Sequence, residues 1–349
     1  MLITGGQTHG LVMGRFMPPH NGHRYLIEFA RRFADRVTVL VCTLSHEPIP
    51  GGLRYQWMRE LFPELNVVHV TEEIPEAGRS NPEAHKIWAR FIRRRLDRSL
   101  HYVFASETYG GPLATELGAR FIPVDPARSN FPISASAIRE SPAEHWRYIP
   151  GPVRPYFQKR VCLIGGSAAE RRELTVRLAA EFGTLAVPDV RTIRDELLGS
   201  SLLDASQPAG KTGYRIDPGD ELELLQSQRA AEAALARQAG PVLVCAADAL
   251  VIALASASSA GSTAGPASAS TPASTAAPAS GSASAPLATS GRVSGSAPAD
   301  LYMALPARDG AADRMQSALA ERNARVETLP AVTSAAAIEC LRRFLHEHP

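Results

Sequence analysis

The chain has 349 residues, 45% hydrophobic content and a formal net charge of +2, and its length suits two domains of about 150 residues each. The near-neutral charge gives no strong electrostatic field, and no apolar run reaches the roughly 18 residues of a membrane-spanning helix, so the sequence argues against nucleic-acid and membrane partners. Four scattered cysteines without a Cys-x-x-Cys pair, and the lack of an apolar leader, predict a cytoplasmic protein with reduced thiols.

The first predicted elements are a strand and a helix joined by a segment rich in glycine, proline and histidine. Leu11–Met13 is an apolar run typical of a strand, and Arg24–Phe33 carries apolar residues at helical spacing. The expected buried face of this helix consists of Leu26, Phe29, Ala30 and Phe33. Between the two elements lies Gly14–His23, in which His20 and His23 share one side of the first helical turn. Free backbone N–H groups at a helix start favour phosphate, so the segment predicts a phosphate-binding site.

Strands and helices continue to alternate through the first half of the chain. Strands are predicted at 37–43, 67–70, 101–105 and 121–124, and helices at 53–62 and 81–98. The second of these helices has an expected buried face formed by Ile87, Phe91 and the stem of Arg95. Such alternation indicates a parallel sheet with crossover helices, that is, a Rossmann-like α/β layer. Ligands of such a layer bind at the carboxyl ends of the strands.

A second phosphate-binding segment is predicted at Ile133–Arg139, far along the chain from the histidines. Ser134 is placed to cap a helix, where its hydroxyl satisfies free backbone N–H groups and also faces a phosphate oxygen. Arg139 offers a planar fork of donors that suits the outer phosphates of a nucleotide. Taken alone, a serine cap followed by an arginine is more often structural, and the segment gains its meaning from its pairing with the histidine segment.

Both segments resemble the signatures of one enzyme superfamily. Gly14–His23 has the form Gly-x-Phe-x-Pro-x-His-x-Gly-His, and Ile133–Arg139 has the form Ile-Ser-x-Ser-x-Ile-Arg. They resemble the nucleotidyltransferases with the His-x-Gly-His motif, which attack the α-phosphate of a nucleoside triphosphate and release pyrophosphate. Flanking segments at 49–57, 124–129 and 145–157 are similar to the NadR-type bifunctional NMN adenylyltransferase/ribosylnicotinamide kinase family. The resemblance implies a nucleotidyltransferase domain over 1–157 and a P-loop kinase-like domain over 158–349.

The resemblance also implies which residues bind the two substrates, ATP and NMN. It places catalysis on His20, His23 and Arg139. It places ATP binding on Gly14, Arg15, Phe16, His20, His23, Ser134, Ser136 and Arg139. It places NMN binding on Arg54, Trp57 and Trp88, since an aromatic face suits the flat cationic nicotinamide ring and a guanidinium suits a phosphate. His85 departs from the asparagine that archaeal relatives carry three residues before the tryptophan.

The implied cofactor is Mg²⁺, bound together with ATP, and no protein metal site is expected. The resemblance also allows a homo-oligomer.

Two other functions stay open. One is an adenylyl- or cytidylyltransferase for another phosphorylated acceptor such as phosphopantetheine, although Trp88, Arg54 and the 145–157 segment argue against it. The other is a regulator that binds a pyridine nucleotide or a protein without turnover. The chain has no room before Gly14 for the helix-turn-helix that some relatives carry, so we expect no direct DNA repression.

The second half begins like a P-loop kinase domain but departs from its motif. A predicted strand over 160–164 runs into Gly165, and the family loop reads Gly-x-x-x-x-Gly-Lys-Ser. In this chain the last three positions of that loop are occupied by Glu170, Arg171 and Arg172. A carboxylate in the phosphate cradle, and loss of the hydroxyl that holds Mg²⁺, argue against ATP binding. Ala246 likewise replaces the first carboxylate of the family's Asp-x-Asp pair and leaves Asp248, so the sequence predicts that kinase activity is lost.

The rest of the second half contains a long low-complexity segment. Residues 255–286 consist only of Ala, Ser, Gly, Thr and Pro, which predicts a disordered segment from about 254 to 298 because so little apolar surface can be buried. Gly210–Thr212 resembles the end of a P-loop, but no apolar strand leads into it, so we expect a surface loop. Strands at 301–305 and 324–329 and helices at 313–322 and 334–346 complete a smaller α/β domain.

Overall fold

A computed structural model describes residues 7–74, 83–96, 99–201, 218–254, 299–306 and 311–348. The chain divides into two units, Met1–Phe157 and Gln158–Pro349. In the parts of the chain that are described, no helix combines the length and apolar character needed to cross a bilayer. The predicted loop at 210–212 lies outside the described residues, as does the predicted disordered segment from 255 onward.

In the first unit, strands and helices alternate along the chain. The strands are β1 (His9–Gly14), β2 (Arg36–Cys42), β3 (Asn66–Val70), β4 (Tyr102–Ala105) and β5 (Arg120–Pro123). The helices are α1 (Asn21–Phe33), α2 (Gly51–Leu61), α3 (Ala84–Arg95), α4 (Gly110–Leu117), α5 (Ala135–Glu140) and α6 (Arg154–Phe157), with a 3₁₀ turn at Trp146–Tyr148. The strands pair in parallel in the order β3-β2-β1-β4-β5. This arrangement confirms the predicted Rossmann-like α/β fold.

The helices of this unit bury somewhat different faces from those predicted. On α1 the buried residues include Ile27, whereas Phe29 and Phe33 are 37% and 47% exposed. Phe33 instead packs by its edge against Tyr102, so the aromatic residues flank the sheet rather than lying under the helix. On α3 the buried residues are Ala84, Trp88, Ala89 and Ile92; of the predicted face, Phe91 packs partly buried against the core, whereas Ile87 and Arg95 are exposed. The face is set by the apolar sheet surface that α3 covers, which includes Leu11, Leu40, Val70 and Val103.

The second unit is also a parallel α/β layer. Its strands are β6 (Lys159–Gly165), β7 (Ala186–Val187), β8 (Val242–Cys245), β9 (Leu301–Leu305) and β10 (Val326–Thr328). Its helices are α7 (Ala168–Glu181), α8 (Val190–Ser201), α9 (Pro218–Ala236), α10 (Ala311–Ala320) and α11 (Ser334–Glu347). The strand order is β10-β9-β6-β8-β7. The strands and helices predicted after residue 300 are confirmed with slightly shifted ends, whereas β7, α8 and α9 had no counterpart in the sequence-based prediction.

The first strand of each unit lies at the centre of its sheet. In the first unit, β1 pairs with β2 on one side and with β4 on the other. The connections after β1 and after β4 therefore diverge at the carboxyl edge of the sheet, which is where doubly wound folds bind ligands. Gly14 and Ala105 end these two strands, and the predicted phosphate-binding segment begins at the first of them.

Candidate active site

A cavity of about 500 Å³ opens at the carboxyl ends of β1 and β4, within the range of about 300–1,000 Å³ that is usual for small-molecule sites. Most of the predicted site residues line it, namely Gly14, Arg15, Phe16, His20, His23, Trp88, Ser134, Ser136 and Arg139. The structure therefore brings the histidine segment and the serine–arginine segment together in one cleft, although they are far apart in the sequence.

The two histidines of the cavity are stacked at the start of α1. Their ring centroids are 3.7 Å apart with an interplanar angle of 27°. The His23 N–H donates to Nδ1 of His20 at 3.4 Å, and the His20 N–H donates to Nδ1 of His23 at 3.3 Å. A ring nitrogen that accepts a hydrogen bond carries no proton, so this pattern assigns to both rings the neutral tautomer with its proton on Nε2. The helix cap thus orients two neutral N–H donors.

The surroundings of the two imidazoles also keep them neutral. Burial lowers the pKa of His20 from its ordinary 6.5 to about 4, and the charge of Arg128 is a second cause. Burial lowers the pKa of His23 well below 6.5 as well, with smaller contributions from His20 and Arg128. At neutral pH both rings are therefore hydrogen-bond donors without a net charge.

We expect acid to weaken the first unit through His20. A histidine whose pKa is depressed on folding binds a proton more readily when unfolded, so its stabilising contribution is complete above pH 6.5 and is lost as the pH falls through about 4. The expected decrease in the free energy of unfolding is on the order of 3 kcal/mol, since a tenfold change in a proton equilibrium is about 1.4 kcal/mol. Denaturant titrations at a series of pH values measure this decrease.

The matched control for this prediction is His20→Asn. The asparagine side chain can still cap the helix through its amide oxygen, but it does not titrate. Its unfolding free energy is expected to depend less on pH between 6.5 and 4 than that of the wild type. Equal pH dependence in the two proteins would show that His20 is not responsible.

Two glycines lie so close to the rings of this loop that a side chain at either position would be tight. A Cβ at Gly22 would lie 3.0 Å from the His20 imidazole, so the stacked ring would have to shift by a few tenths of an ångström. A Cβ at Gly14 would lie 3.3 Å from the ring of Phe16. Phe16 itself has a φ of 49° and is buried, which folds the loop after β1 back against the sheet.

The serine–arginine segment lines the cavity next to the histidine loop. Ser134 caps α5, since its hydroxyl accepts a hydrogen bond from the Ala137 N–H at 3.1 Å. The hydroxyls of Ser134 and Ser136 are 3.3 Å apart. Nη1 of Arg139 donates to the carbonyl of Met17, which ties α5 to the loop that carries the histidines. The two predicted motifs thus form one hydrogen-bonded wall with hydroxyl and guanidinium donors.

Comparison with known proteins gives relatives of one kind. No protein-family model matches the chain. It is 29% identical over 196 residues to the trifunctional NAD biosynthesis/regulator protein NadR of Escherichia coli. The aligned region covers 51% of this chain and 47% of that protein. It is 28% identical over 192 residues to the protein of the same name from Salmonella typhimurium, covering 50% and 47%. The chain thus spans about half the length of these curated relatives.

Solved structures agree in fold. A crystal structure of NadR in complex with NAD and AMP-PNP has a TM-score of 0.66 at 18% identity, over 97% of this chain and 96% of that one. A crystal structure of NadR in complex with NR has a TM-score of 0.63 at 18% identity, over the same shares of the two chains. The chain is thus similar to NadR in sequence over about half of its length and in fold over nearly all of it. A shorter match is 34% identical over 71 residues to a "Probable nicotinate-nucleotide adenylyltransferase" of Sulfurimonas denitrificans. It covers 19% of this chain and 39% of that protein.

Two residues predicted to bind NMN do not line the cavity. Arg54 on α2 is fully buried; Nη1 donates to the carbonyl of Arg15 at 2.7 Å, and Nη2 contacts the buried carboxylate of Glu47. Trp57 is 5% exposed and packs its edge against Tyr156 at a centroid distance of 5.5 Å. The geometry therefore places Arg54 behind the loop of Arg15, where it supports the loop, and places Trp57 in an apolar core.

The structure also brings to the cavity residues that the sequence-based prediction did not assign. They are Ser106, Glu107, Tyr109, Asp125 and Arg128, together with His85 beside Trp88. Tyr109 donates from its hydroxyl to the Met13 carbonyl at 2.7 Å, and burial raises the pKa of that hydroxyl. A usable signal was present in the sequence, since Ser106 and Glu107 directly follow a predicted strand and the carboxyl ends of strands were the expected ligand edge.

Proposed function

We propose that the first unit is a nicotinamide-nucleotide adenylyltransferase, which transfers AMP from ATP to NMN and forms NAD and pyrophosphate. The observation that supports it is one cavity lined by two neutral imidazole donors, two serine hydroxyls and a guanidinium. The likeness to proteins named for NAD biosynthesis supports the same reaction. Phosphates are the ligands that this set of donors suits.

In the proposed reaction, an oxygen of the NMN 5′-phosphate attacks the α-phosphorus of ATP. A new P–O bond forms as the bond between the α-phosphorus and the bridging oxygen breaks, and that oxygen leaves with pyrophosphate. His20 and His23 donate from Nε2 to phosphate oxygens whose charge grows in the transition state, while Ser134, Ser136 and Arg139 hold the triphosphate. Mg²⁺, a hard cation that prefers phosphate oxygens, accompanies ATP and reduces its charge. Catalysis is positioning and electrostatic stabilisation, and no protein nucleophile is needed.

We propose that the nicotinamide ring lies against Trp88, which lines the cavity and is 7% exposed. An aromatic face favours a flat pyridinium cation. His85, one helical turn before Trp88, also lines this end of α3 and is placed to meet the substituent of the ring. That substituent is an amide in NMN and a carboxylate in nicotinate mononucleotide.

The test is incubation of the purified full chain with ATP, Mg²⁺ and one acceptor at a time. We expect NAD and pyrophosphate in equal amounts from NMN. Nicotinate mononucleotide and phosphopantetheine serve as alternative acceptors; the first is favoured as a competitor by the similarity to a nicotinate-nucleotide adenylyltransferase. Product from phosphopantetheine alone, or from no acceptor, would contradict the proposal.

We also propose that the second unit has lost ribosylnicotinamide kinase activity, because its own side chains fill the phosphate cradle. Gly165 and Gly166 make the turn after β6 with φ angles of 72° and 57°. The Glu170 carboxylate accepts a hydrogen bond from the Ser167 N–H at 2.7 Å, at the helix start where a phosphate would bind. Arg171 donates to the carbonyls of Gly165 and Gly166 at 3.1 and 3.2 Å and contacts Asp189 at 3.2 Å.

The carboxylate that remains from the expected Asp-x-Asp pair is enclosed as well. Asp248 is 1% exposed, and it accepts hydrogen bonds from the Tyr302 hydroxyl at 2.7 Å and from the Val251 N–H at 2.8 Å. A carboxylate in such surroundings is engaged in the structure of the unit itself. We propose that it holds no Mg²⁺.

We expect no phosphorylation when the full chain is incubated with ATP, Mg²⁺ and nicotinamide riboside. The same preparation should form NAD from ATP and NMN, which shows that it is folded and that the reagents are active. Chromatography that separates riboside, NMN and NAD measures both reactions. Appearance of NMN or NAD in the riboside sample would mean that the second unit is still a kinase despite Glu170 and Arg171.

A further inference from the structure

Arg128 stands between β5 and α5 in a loop with unusual backbone geometry. Asp125 and Arg128 have φ angles of 47° and 53°, which non-glycine residues seldom adopt. The Asp125 carboxylate accepts hydrogen bonds from the N–H groups of Ser129, Asn130 and Phe131 at 2.8, 3.1 and 3.4 Å. The Arg128 N–H donates to the Asp125 carbonyl at 2.9 Å. Strained backbone held by several hydrogen bonds is often found at ligand sites. Here these bonds fix the backbone position from which the Arg128 side chain extends.

The side chain of Arg128 lines the cavity that holds the two histidines. Its charge is close enough to contribute to the lowered pKa of both imidazoles. Its ion pair with Glu107, at 3.3 Å, is open to solvent, with the two side chains 44% and 65% exposed. Exposed pairs of this kind contribute little and separate readily. The guanidinium is therefore available to a partner with more negative charge.

A cavity for phosphates needs cations, and the two neutral imidazoles provide none. Among the charged residues that line the cavity, Arg15 lies 3.6 Å from the buried Glu47. Arg139 donates to the backbone of Met17. Arg15 thus has a buried carboxylate as its partner and Arg139 has a backbone carbonyl, which carries no charge, whereas the partner of Arg128 is a solvent-exposed carboxylate. Arg128 is the guanidinium that a nucleotide would displace from its partner most easily.

We infer that Arg128 binds the phosphate groups that lie over the His20–His23 pair and supplies the cation that the neutral rings lack. The triphosphate takes the place of Glu107 as the partner of the guanidinium. The planar fork of donors suits two phosphate oxygens at once. The inference rests on the proposed function for the identity of the reaction, but the contact itself is to the triphosphate and does not depend on the acceptor.

The test measures binding of AMP-PNP with Mg²⁺, and of pyrophosphate, to the full chain by calorimetry without any acceptor. We expect Arg128→Ala to weaken both at least about 10-fold, the usual effect of losing a charge-assisted hydrogen bond. Arg128→Lys keeps the charge but loses the planar fork of donors, so its affinity for both ligands should lie between those of the wild type and Arg128→Ala. Arg128→Asn removes the charge at a residue type that tolerates positive φ, so it remains informative if the alanine variant does not fold.

An NMR titration of the imidazoles tests separately whether the charge of Arg128 lies beside the histidine pair in solution. In Arg128→Ala the pKa of His20 is expected to rise, because the nearby positive charge is gone. The matched control is Arg32→Ala on the exposed surface of α1, which should leave nucleotide binding unchanged. Folded Arg128→Ala and Arg128→Asn proteins that bind AMP-PNP as tightly as the wild type would overturn the inference. Wild-type protein that binds AMP-PNP but forms no NAD would instead overturn the proposed function.

Discussion

Replacing His23 by alanine is expected to lower the rate of adenylyl transfer about 10²–10³-fold, the usual cost of removing one donor that stabilises transition-state charge. The His23 ring stacks on His20 and supplies the Nδ1 acceptor for the His20 N–H. The substitution therefore removes one Nε2 donor and also loosens its neighbour. Most of the loss should appear in kcat, because the charge on the phosphate oxygens grows only as the reaction proceeds. Initial rates of NAD formation at saturating ATP and NMN measure it.

The matched control for this variant is His46→Ala, which changes an exposed histidine of the same unit. Its rate should equal that of the wild type. Circular dichroism and AMP-PNP binding establish that His23→Ala is folded and still takes up nucleotide. A folded His23→Ala protein with nearly full activity would remove the histidine pair from the proposed mechanism.

The histidine motif could be recognised from the sequence because its chemistry is local. His20 and His23 are three residues apart at a helix start, so helix geometry alone brings the rings together. Ser134 is a helix cap for equally local reasons. The parallel fold followed from the alternation of apolar runs, since a strand buried on both faces gives a continuous hydrophobic stretch. The meeting of the two segments in one cavity required tertiary structure, and the fold topology predicted only the edge where it would occur.

Arg54 shows what the sequence could not provide. A guanidinium after a Gly-Gly turn is compatible with binding a phosphate or with supporting a loop, and the choice depends on which way α2 faces. In the structure α2 buries Arg54, Trp57 and Met58 on one side, so the charged residue lies among apolar ones. Helical spacing assigns residues to a face according to their hydrophobicity, and it has no means to place an arginine in a core. Arg128 was missed for a related reason, because its loop is defined by backbone geometry rather than by a periodic pattern.

Replacing Arg54 by alanine is expected to lower the free energy of unfolding by about 3–5 kcal/mol, the range measured when one member of a buried ion pair is removed. Arg54 is fully buried, and Glu47, its carboxylate partner, is nearly so. Without the guanidinium, Glu47 would stay buried and, among the residues that the structure describes, would keep Arg15 as its charge partner, with Nε 3.6 Å away. The carbonyl of Arg15 would also lose its donor. Denaturant unfolding of the full chain, followed by a probe in the first unit, measures the loss.

The double variant Arg54→Met with Glu47→Leu separates the stability of the pair from its effect on the site. Replacing both members of a buried ion pair by apolar residues is often neutral or stabilising, so this protein should unfold much like the wild type. Its adenylyl transfer should nevertheless be slow, because nothing then holds the Arg15 carbonyl and the loop that lines the cavity. If instead Arg54→Ala unfolds like the wild type and only raises the KM for NMN, the guanidinium reaches the acceptor phosphate in the working enzyme, as the family resemblance implied. The two outcomes differ in which measurement changes, so one pair of variants decides between a supporting arginine and a substrate-binding one.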